Sequence, residues 1–430
     1  MISEKASGAL REQAPVAARW HEHTSPTAQF LAFRCGLAAV VFAALVAATQ
    51  AASAQTLTTL HSFSGPPDGS TPVAGLVLDP SGNLYGTTSS GGVINKACAN
   101  GCGTVFKVTP AGNESVMYNF IGKYKKITND GADPQSGLIF DQQGNLYGTT
   151  SAGGSFNKGN GTVFKVTRSG VETMIYSFAG ENHGDGTSPV AGLVMDSQGN
   201  FYGTTSAGGG YNKGTVFKVT PSGLETILYS FEPHDSHYPA AGLILDAQGN
   251  FYGTTPWGED GFCGRTGCGT VFKVSPSGVE TILYNFQARQ KDGVHSVAGL
   301  LWDAQGNLYG TTEEGGAHEF GAVFELTATG TETVLYSFTG GDDGASPAAG
   351  LIFDPQGNLY GTTAGGGLYG SGTIFELTPA GTETVLYNFT GGDDGATPVA
   401  GLVFDTQANL YGTTRSGGAY NLGTVFKLVP

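Results

Sequence analysis

One six-residue motif, Asn-(Leu/Phe)-Tyr-Gly-Thr-Thr, recurs seven times along the chain. Successive copies lie 50 to 62 residues apart, and they begin at Asn83, Asn145, Asn200, Asn250, Asn307, Asn358 and Asn409. A period of this length indicates an array of equal structural units, none of which buries its apolar surface alone. The repeat therefore constrains the fold more than any other feature of the sequence.

Each repeat contains four short apolar runs that are separated by turns. In the sixth copy the runs cover residues 349–354, 358–363, 372–378 and 383–389. They are rich in β-branched and aromatic residues and are divided by Gly, Pro and Asp, which is typical of strands and tight turns. No run shows a helical period over ten or more residues, so we expect four antiparallel strands, named A to D in chain order, and no helix.

The inner strands are apolar or small on both faces, so each of the seven four-stranded sheets must be covered on both sides. This predicts an all-β fold, a seven-bladed β-propeller. The alternatives are a β-solenoid, whose coils are usually shorter, and a string of separate modules, each of which would bury too little. The last copy ends after strand C at residues 423–428, and its missing strand D matches residues 58–63 near the N-terminus. We therefore expect the N-terminal strand to complete the seventh blade and remove the open edges of the array.

Residues 1–54 lie outside the repeat. Arg34 precedes an apolar run at residues 35–48, and Ala52-Ser53-Ala54 offers a small-x-small cleavage site. This pattern predicts a signal peptide with a long N-region at residues 1–54, cleaved before Gln55, and a propeller at residues 55–430. The alternative is a membrane anchor, but the run reaches a spanning length only if polar residues are included. We expect a secreted, periplasmic or cell-surface protein without membrane insertion after cleavage.

The charge of the chain limits its partners. The formal net charge is -15, and removal of residues 1–54 would leave 16 basic and 32 acidic residues, a net charge of -16. Such a surface repels phosphate backbones, so we exclude nucleic acid as a partner.

Four of the five cysteines fall in the repeat region, in B–C loops of the first and fourth blades. Cys98 and Cys102 form one close pair in sequence, and Cys263 and Cys268 form the other. The two blades lie nearly opposite each other on a sevenfold ring, which argues against a single four-cysteine zinc site. In an exported protein we expect two local disulfides, with free thiols as the alternative.

The unit Gly-Leu-x-x-Asp-x-x-Gly-Asn-Leu-Tyr-Gly-Thr-Thr, followed by Gly-Gly and Gly-Thr-Val-Phe-Lys, resembles the Gloeo-Verruco (GloVer) tandem repeat of exported bacterial proteins. The resemblance covers residues 57–430 and implies an exported repeat protein of undetermined activity, often with a C-terminal surface anchor. This chain ends on a blade strand, so we expect no such anchor here. The hairpin order is also similar to NHL and gluconolactonase-like propellers, which implies the fold only.

The loops divide into two sets on opposite faces. The A–B and C–D turns are short and nearly identical, whereas the D–A and B–C loops vary and are the better place for ligand specificity. One acidic residue recurs in the D–A loops, at Asp68, Asp130, Asp185, Asp235, Asp292, Asp343 and Asp394. We expect each of these carboxylates to cap its own turn, the alternative being a cation-attracting ring at the channel mouth.

Histidine and tryptophan are distributed unevenly on the variable face. The candidate ligand-binding residues all belong to loops of blades three to five: His183, His234, His237, Trp257, His295 and His318. Tyr238, Phe262, Glu313, Glu314 and Glu319 accompany them. Such a sector could form a metal site or a sugar-binding platform. Exposed loop histidines without a role are the alternative, and no metal-ligand spacing such as His-x-x-x-His is present.

No catalytic motif stands out. The Gly-rich loops do not open helices, no nucleophile elbow is found, and we identify no paired carboxylates with distinct environments. Lys107 and Glu114 are expected to form a cross-strand surface pair. We therefore expect a non-catalytic binding or scaffolding module whose unknown ligand is a carbohydrate or a protein. A metal-assisted hydrolase or lyase acting on a carbohydrate or lactone, and a purely structural surface protein, are the alternatives. No cofactor is expected, although a divalent cation such as calcium could bind.

Overall fold

The computed structural model describes residues 55–123, 129–156, 159–233, 236–258, 263, 267–287 and 291–430. The predicted signal peptide lies outside the described residues, as do His234, Asp235 and Phe262. The propeller unit extends from Ala54 to Pro430.

The described chain forms seven four-stranded antiparallel sheets, each with the strand order A-B-C-D, as the sequence predicts. Strand A is only two residues long and lies at Val77–Leu78, Ile139–Phe140, Val194–Met195, Ile244–Leu245, Leu301–Trp302, Ile352–Phe353 and Val403–Phe404. Strand B carries the repeated motif and lies at Leu84–Thr88, Leu146–Thr150, Phe201–Thr205, Phe251–Thr255, Leu308–Thr312, Leu359–Thr363 and Leu410–Thr414.

Strand C is five or six residues long and mostly buried, whereas strand D is six or seven residues long and mostly half-buried. Strand C lies at Thr104–Val108, Thr162–Val166, Thr215–Val219, Thr270–Val274, Ala322–Leu326, Thr373–Leu377 and Thr424–Val429. Strand D lies at Glu114–Asn119, Glu172–Ser177, Glu225–Ser230, Glu280–Asn285, Glu332–Ser337, Glu383–Asn388 and Thr56–Ser62. We number the blades 1 to 7 in the order of their A strands, so Thr56–Ser62 belongs to blade 7.

The first strand closes the ring, which confirms the prediction from the repeat. Thr56–Ser62 pairs antiparallel with Thr424–Val429 at the outer edge of the last sheet. Phe63 is fully buried. Leu60 is only partly buried, as is the equivalent residue of blades 1 to 5, and the bulge between Thr59 and His61 recurs at this position in all seven blades.

On the variable face, each blade carries a second, smaller ladder between the D–A loop and the start of the B–C loop. Two-stranded ladders join Gly69–Ser70 to Ser90–Gly91, Gly131–Ala132 to Ala152–Gly153, Gly186–Thr187 to Ala207–Gly208, and Gly293–Val294 to Glu314–Gly315. Single bridges at the same place join His237 to Trp257, Ala345 to Gly365, and Ala396 to Ser416. These ladders hold the two variable loops of a blade side by side. A three-residue 3-10 helix, Glu181–His183, precedes blade 3.

Three contacts repeat at all seven blade interfaces. A phenylalanine that follows strand D packs edge-on against one in strand C of the next blade, with ring centroids 5.0 to 5.3 Å apart, as in Phe63–Phe106. The first threonine of Gly-Thr-Thr donates to a carbonyl of the next blade, and the last such bond, Thr413 to Ala74, joins blade 7 to blade 1. Glycines before strand A contact one another in a closed ring, which includes Gly75 and Gly401.

The glycine of Tyr-Gly-Thr-Thr is explained by the phenylalanine that packs over it. A Cβ atom at Gly86 would lie 2.6 Å from Cζ of Phe106 and 2.9 Å from Cδ2 of Leu76. Any larger residue would therefore displace the core of the blade. The repeated motif thus encodes blade packing, and the positions free to vary lie in the loops.

Both expected disulfides are present. Cys98 is bonded to Cys102, and Cys263 is bonded to Cys268, each within one B–C loop. Among the residues that the structure describes, no helix is both long and apolar enough to cross a membrane.

Candidate functional site

At one register of the D–A loops on the variable face, a residue other than glycine adopts a left-handed backbone in every blade. These residues have φ between 53° and 59° and are Thr71, Asp133, Ser188, Tyr238, His295, Ser346 and Thr397. Such a backbone is uncommon outside glycine and is an outlier for bulky or β-branched residues. Because it recurs in every blade, the turn of the repeat imposes it, and each blade presents one side chain there.

The residue directly before this one is paired in the small ladder of the variable face. The side chains of that pair are larger in blades 4 and 5 than in the other blades. Five blades carry small residues in the pair: Ser70 with Ser90, Ala132 with Ala152, Thr187 with Ala207, Ala345 with Gly365, and Ala396 with Ser416. Blade 4 carries His237 with Trp257, and blade 5 carries Val294 with Glu314. The same framework therefore holds large aromatic, imidazole and carboxylate groups in two adjacent blades only.

Six residues of these two blades form one group, the Trp257 cluster, which consists of His237, Tyr238, Trp257, His295, Glu313 and Glu314. It is joined by side-chain contacts and by the backbone bridge of His237 to Trp257. The rings of Trp257 and His295 meet edge-on with centroids 4.2 Å apart. His295 Nδ1 lies 3.3 Å from Glu314 Oε2. The contact between Trp257 and His295 joins blade 4 to blade 5 on the variable face.

The two glutamates of the Trp257 cluster have different environments. Burial raises the pKa of Glu313 above its ordinary value, the charge of Glu314 adds to the rise, and His295 opposes it. The side chain of Glu314 is 60% exposed, and its carboxylate faces the His295 ring. This corrects the expectation that the chain has no carboxylate pair in distinct environments. Sequence reasoning missed it because nothing local distinguishes the burial of two adjacent glutamates.

The remaining members of the cluster contact one another at the blade 4 turn. The backbone N–H of His237 donates to the carbonyl of Trp257 at 3.2 Å, and the buried His237 ring meets Tyr238 edge-on at 5.1 Å. Lys213 Nζ donates to Tyr238 Oη at 3.1 Å and lies 4.7 Å from the ring centroid. The lysine therefore holds the tyrosine at the edge of the cluster, a contact that the sequence does not indicate.

The six candidate residues are only partly brought together. His237, Trp257 and His295 lie in the Trp257 cluster, whereas His234 lies outside the described residues. His183 is exposed in the 3-10 helix, and its ring lies 5.7 Å from that of Phe156 in blade 2. His318 is exposed in the B–C loop of blade 5.

A cavity of about 730 Å³ opens between blades 1 and 2. It is lined by the Cys98–Cys102 loop, by Asp133 and by Lys123, with several glycines and alanines between them. It contains no member of the Trp257 cluster. Its lining lacks the large aromatic groups that anchor most ligands, so we place the candidate site at the Trp257 cluster.

The six recurring aspartates that the structure describes, all but Asp235, cap turns as expected. In blade 2, for example, Asp130 accepts hydrogen bonds from the N–H groups of Ile121 and Gly131 and from Tyr118 Oη. Glu172 of the following strand D lies beside it: burial raises the pKa of Glu172 to about 7, and the charge of Asp130 adds to the rise. These carboxylates therefore lie between blades at the outer strands and do not form a ring at the channel mouth.

The same arrangement corrects the expected pairing of Lys107 with Glu114. The ammonium group of Lys107 lies 5.7 Å from the ring centroid of Tyr85. Glu114 instead faces Asp68 and His61 at the seam between blades 7 and 1, with ligand atoms of all three within 4.8 Å of one another. Asp68 Oδ2 lies 3.1 Å from His61 Nε2, which replaces the tyrosine hydroxyl found at most other interfaces. Imidazole and carboxylates could hold a divalent cation here, away from the Trp257 cluster.

A family model described as the Gloeobacter/Verrucomicrobia repeat matches residues 46–266, 156–354 and 259–430. No curated protein matches the chain significantly in sequence.

Several solved structures are similar to this chain. Two are of the extracellular domain of BT4673 from B. thetaiotaomicron, described as a one-component and as a hybrid two-component system. They have TM-scores of 0.52 and 0.55 and identities of 11% and 12%, over 87% and 86% of this chain. The chain spans only 40% and 39% of those chains. A gluconolactonase from Xanthomonas campestris has a TM-score of 0.43 and 14% identity, with 88% of this chain and 93% of that chain covered. At such identities, the two likenesses with TM-scores above 0.5 show the fold alone.

Proposed function

Because this chain belongs to the Gloeobacter/Verrucomicrobia repeat family and two of its seven blades carry unlike residues on the variable face, we propose that it is an exported carbohydrate-binding module. The ligand lies against the Trp257 cluster. One observation carries the proposal: Trp257, His295 and Glu314 occupy framework positions at which most other blades carry small residues.

The chemistry of the cluster favours a neutral sugar. The half-buried indole of Trp257 offers an apolar surface for the C–H face of a pyranose ring. The exposed carboxylate of Glu314 can accept hydrogen bonds from sugar hydroxyl groups, and His295 can donate or accept one. Two adjacent glutamates and the net charge of -15 oppose anionic ligands.

The covalent structure supports export. Both disulfides join cysteines within short loops, and disulfides persist mainly in oxidising compartments. The predicted signal peptide at residues 1–54 points the same way. A carbohydrate of the cell envelope or the surroundings is then within reach of the variable face.

The test is calorimetric titration of the mature chain with neutral oligosaccharides, using cellohexaose and chitohexaose as probes. Trp257→Ala and His295→Asn should each weaken binding at least tenfold, or about 1.4 kcal/mol. Asparagine tolerates the left-handed backbone at position 295 better than most residues. Ser416→Ala and Thr397→Asn change the matching positions of blade 7 and should leave the affinity unchanged. Equal losses in both pairs of variants would refute a site at the Trp257 cluster.

A second candidate function is hydrolysis of the bound carbohydrate. It is favoured by Glu313, whose raised pKa suits a general acid, beside the exposed Glu314. The Glu313→Gln variant should then form no shorter products from chitohexaose but should still bind it. Absence of products from the wild-type chain with either hexasaccharide would leave binding as the function.

A further inference from the structure

The B–C loops carry a second recurrent feature that neither the repeat motif nor the Trp257 cluster explains. In six blades two successive glycines with positive φ, such as Gly366 and Gly367, open the loop. The second residue after each pair lies at one register of the repeat. These residues, here named the crown, are Ile94, Phe156, Tyr211, His318, Tyr369 and Tyr420.

The crown residues are large and exposed. The exposed fractions are 60% for Ile94, 38% for Phe156, 53% for Tyr211, 60% for Tyr369 and 62% for Tyr420. Single exposed apolar residues are normal on a protein surface. Exposure of a large side chain at the same register in six blades is a property of the repeat, and blade packing does not require it because these side chains lie outside the core.

From this arrangement we propose that the crown is a multivalent docking surface for a neutral polysaccharide. The proposal rests on the proposed carbohydrate-binding function and extends it from one inner site to a ring of outer contacts. Four crown residues are phenylalanine or tyrosine, whose flat faces suit the C–H faces of pyranose rings, while a tyrosine hydroxyl can remain in water.

A polymer fits the crown better than a compact ligand. Equivalent contacts on six blades can each hold one part of a chain that itself repeats, and linked weak contacts raise the overall affinity without any single strong site. The net charge of -15 disfavours anionic lipid surfaces and acidic polymers.

The test compares retention of the mature chain on microcrystalline cellulose and on chitin with its binding to the soluble hexasaccharides. A triple variant, Phe156→Ala with Tyr369→Ala and Tyr420→Ala, removes crown contacts from blades 2, 6 and 7 only. We expect roughly tenfold weaker retention on the polymer that binds the wild type, because about half of the linked contacts are lost.

A control changes three exposed apolar residues on the opposite face: Val171→Ala, Leu224→Ala and Val279→Ala, which are 59%, 67% and 61% exposed. This variant should be retained like the wild type. The crown proposal would be overturned if the crown variant were retained as well as the wild type, or if the control lost retention equally. It would also be overturned if the wild type bound phosphatidylcholine vesicles but neither polymer. The Trp257→Ala variant separates the two proposals. It should lose hexasaccharide binding, which tests the Trp257 cluster, but the crown contacts should still retain it on the polymer.

Discussion

Leu57 lies directly opposite Leu428 in the antiparallel pair that joins the first strand of the propeller to the last. Residues separated by nearly the whole chain thus form one blade, and Phe63 packs edge-on against Phe106 of the neighbouring blade. The seam therefore repeats the phenylalanine contact of the other six interfaces.

Deletion of residues 55–63 should remove most of the stability of the propeller. Burial of Phe63 alone contributes about 1.5 to 3 kcal/mol, and the total stability of a domain is typically about 5 to 15 kcal/mol. The deletion also exposes the edge of Thr424–Val429 to intermolecular pairing. Urea denaturation with light scattering would measure both effects. A monomeric truncated chain with the midpoint of the full mature protein would contradict closure by this strand.

The sequence predicts the blades and their closure because both follow from its repetition. Residues 58–63 match strand D of the other copies, so their place in blade 7 could be read directly. The contact of Glu114 with Asp68 could not, because it depends on how blades 7 and 1 meet. The same holds for the Trp257–His295 contact, although the uneven distribution of histidine and tryptophan did point to that sector.

Replacement of Gly86 by alanine should destabilise the protein by about 1 to 3 kcal/mol, because the new methyl group would clash with Phe106. Gly210→Ala is the matched control, since a Cβ at that exposed position would meet no atom within 4 Å. Urea denaturation of both variants would measure the difference. A loss in Gly86→Ala no larger than that in the control would show that the core accommodates the methyl group.

Stability should fall as the pH rises from 4.5 to about 7. Burial, with the nearby charge of Asp343, raises the pKa of Glu383 from 4.5 to about 7, and Glu172, Glu225 and Glu332 behave alike. The folded state therefore binds more protons than the unfolded state in this range, so raising the pH favours unfolding. The stabilisation is complete below pH 4.5 and is lost as the pH passes through about 7.

Glu383→Gln should reduce this pH dependence and raise the melting temperature at pH 8, since an uncharged amide replaces a buried carboxylate. The exposed Glu232→Gln serves as the control and should leave the slope unchanged. Thermal denaturation from pH 4.5 to 8 provides the measurement. A wild-type melting temperature that rises over this range would contradict the raised pKa values.

Export should yield a mature protein that begins at Gln55. The apolar run at residues 35–48 and the site Ala52-Ser53-Ala54 predict cleavage there. Sequencing of the N-terminus after expression in a bacterial host with a secretory pathway would show the cleavage point. Intact residues 35–54 in a membrane fraction would instead indicate an anchor.

Hydrogen–deuterium exchange with and without the hexasaccharide that binds more tightly tests the binding claim most directly. We expect slower exchange in the D–A and B–C loops of blades 4 and 5, at residues 236–243, 256–258, 291–300 and 313–321. The A–B hairpins of the opposite face, such as residues 79–83, should be unchanged. Protection confined to those hairpins, or no binding of either hexasaccharide, would contradict a carbohydrate site at the Trp257 cluster.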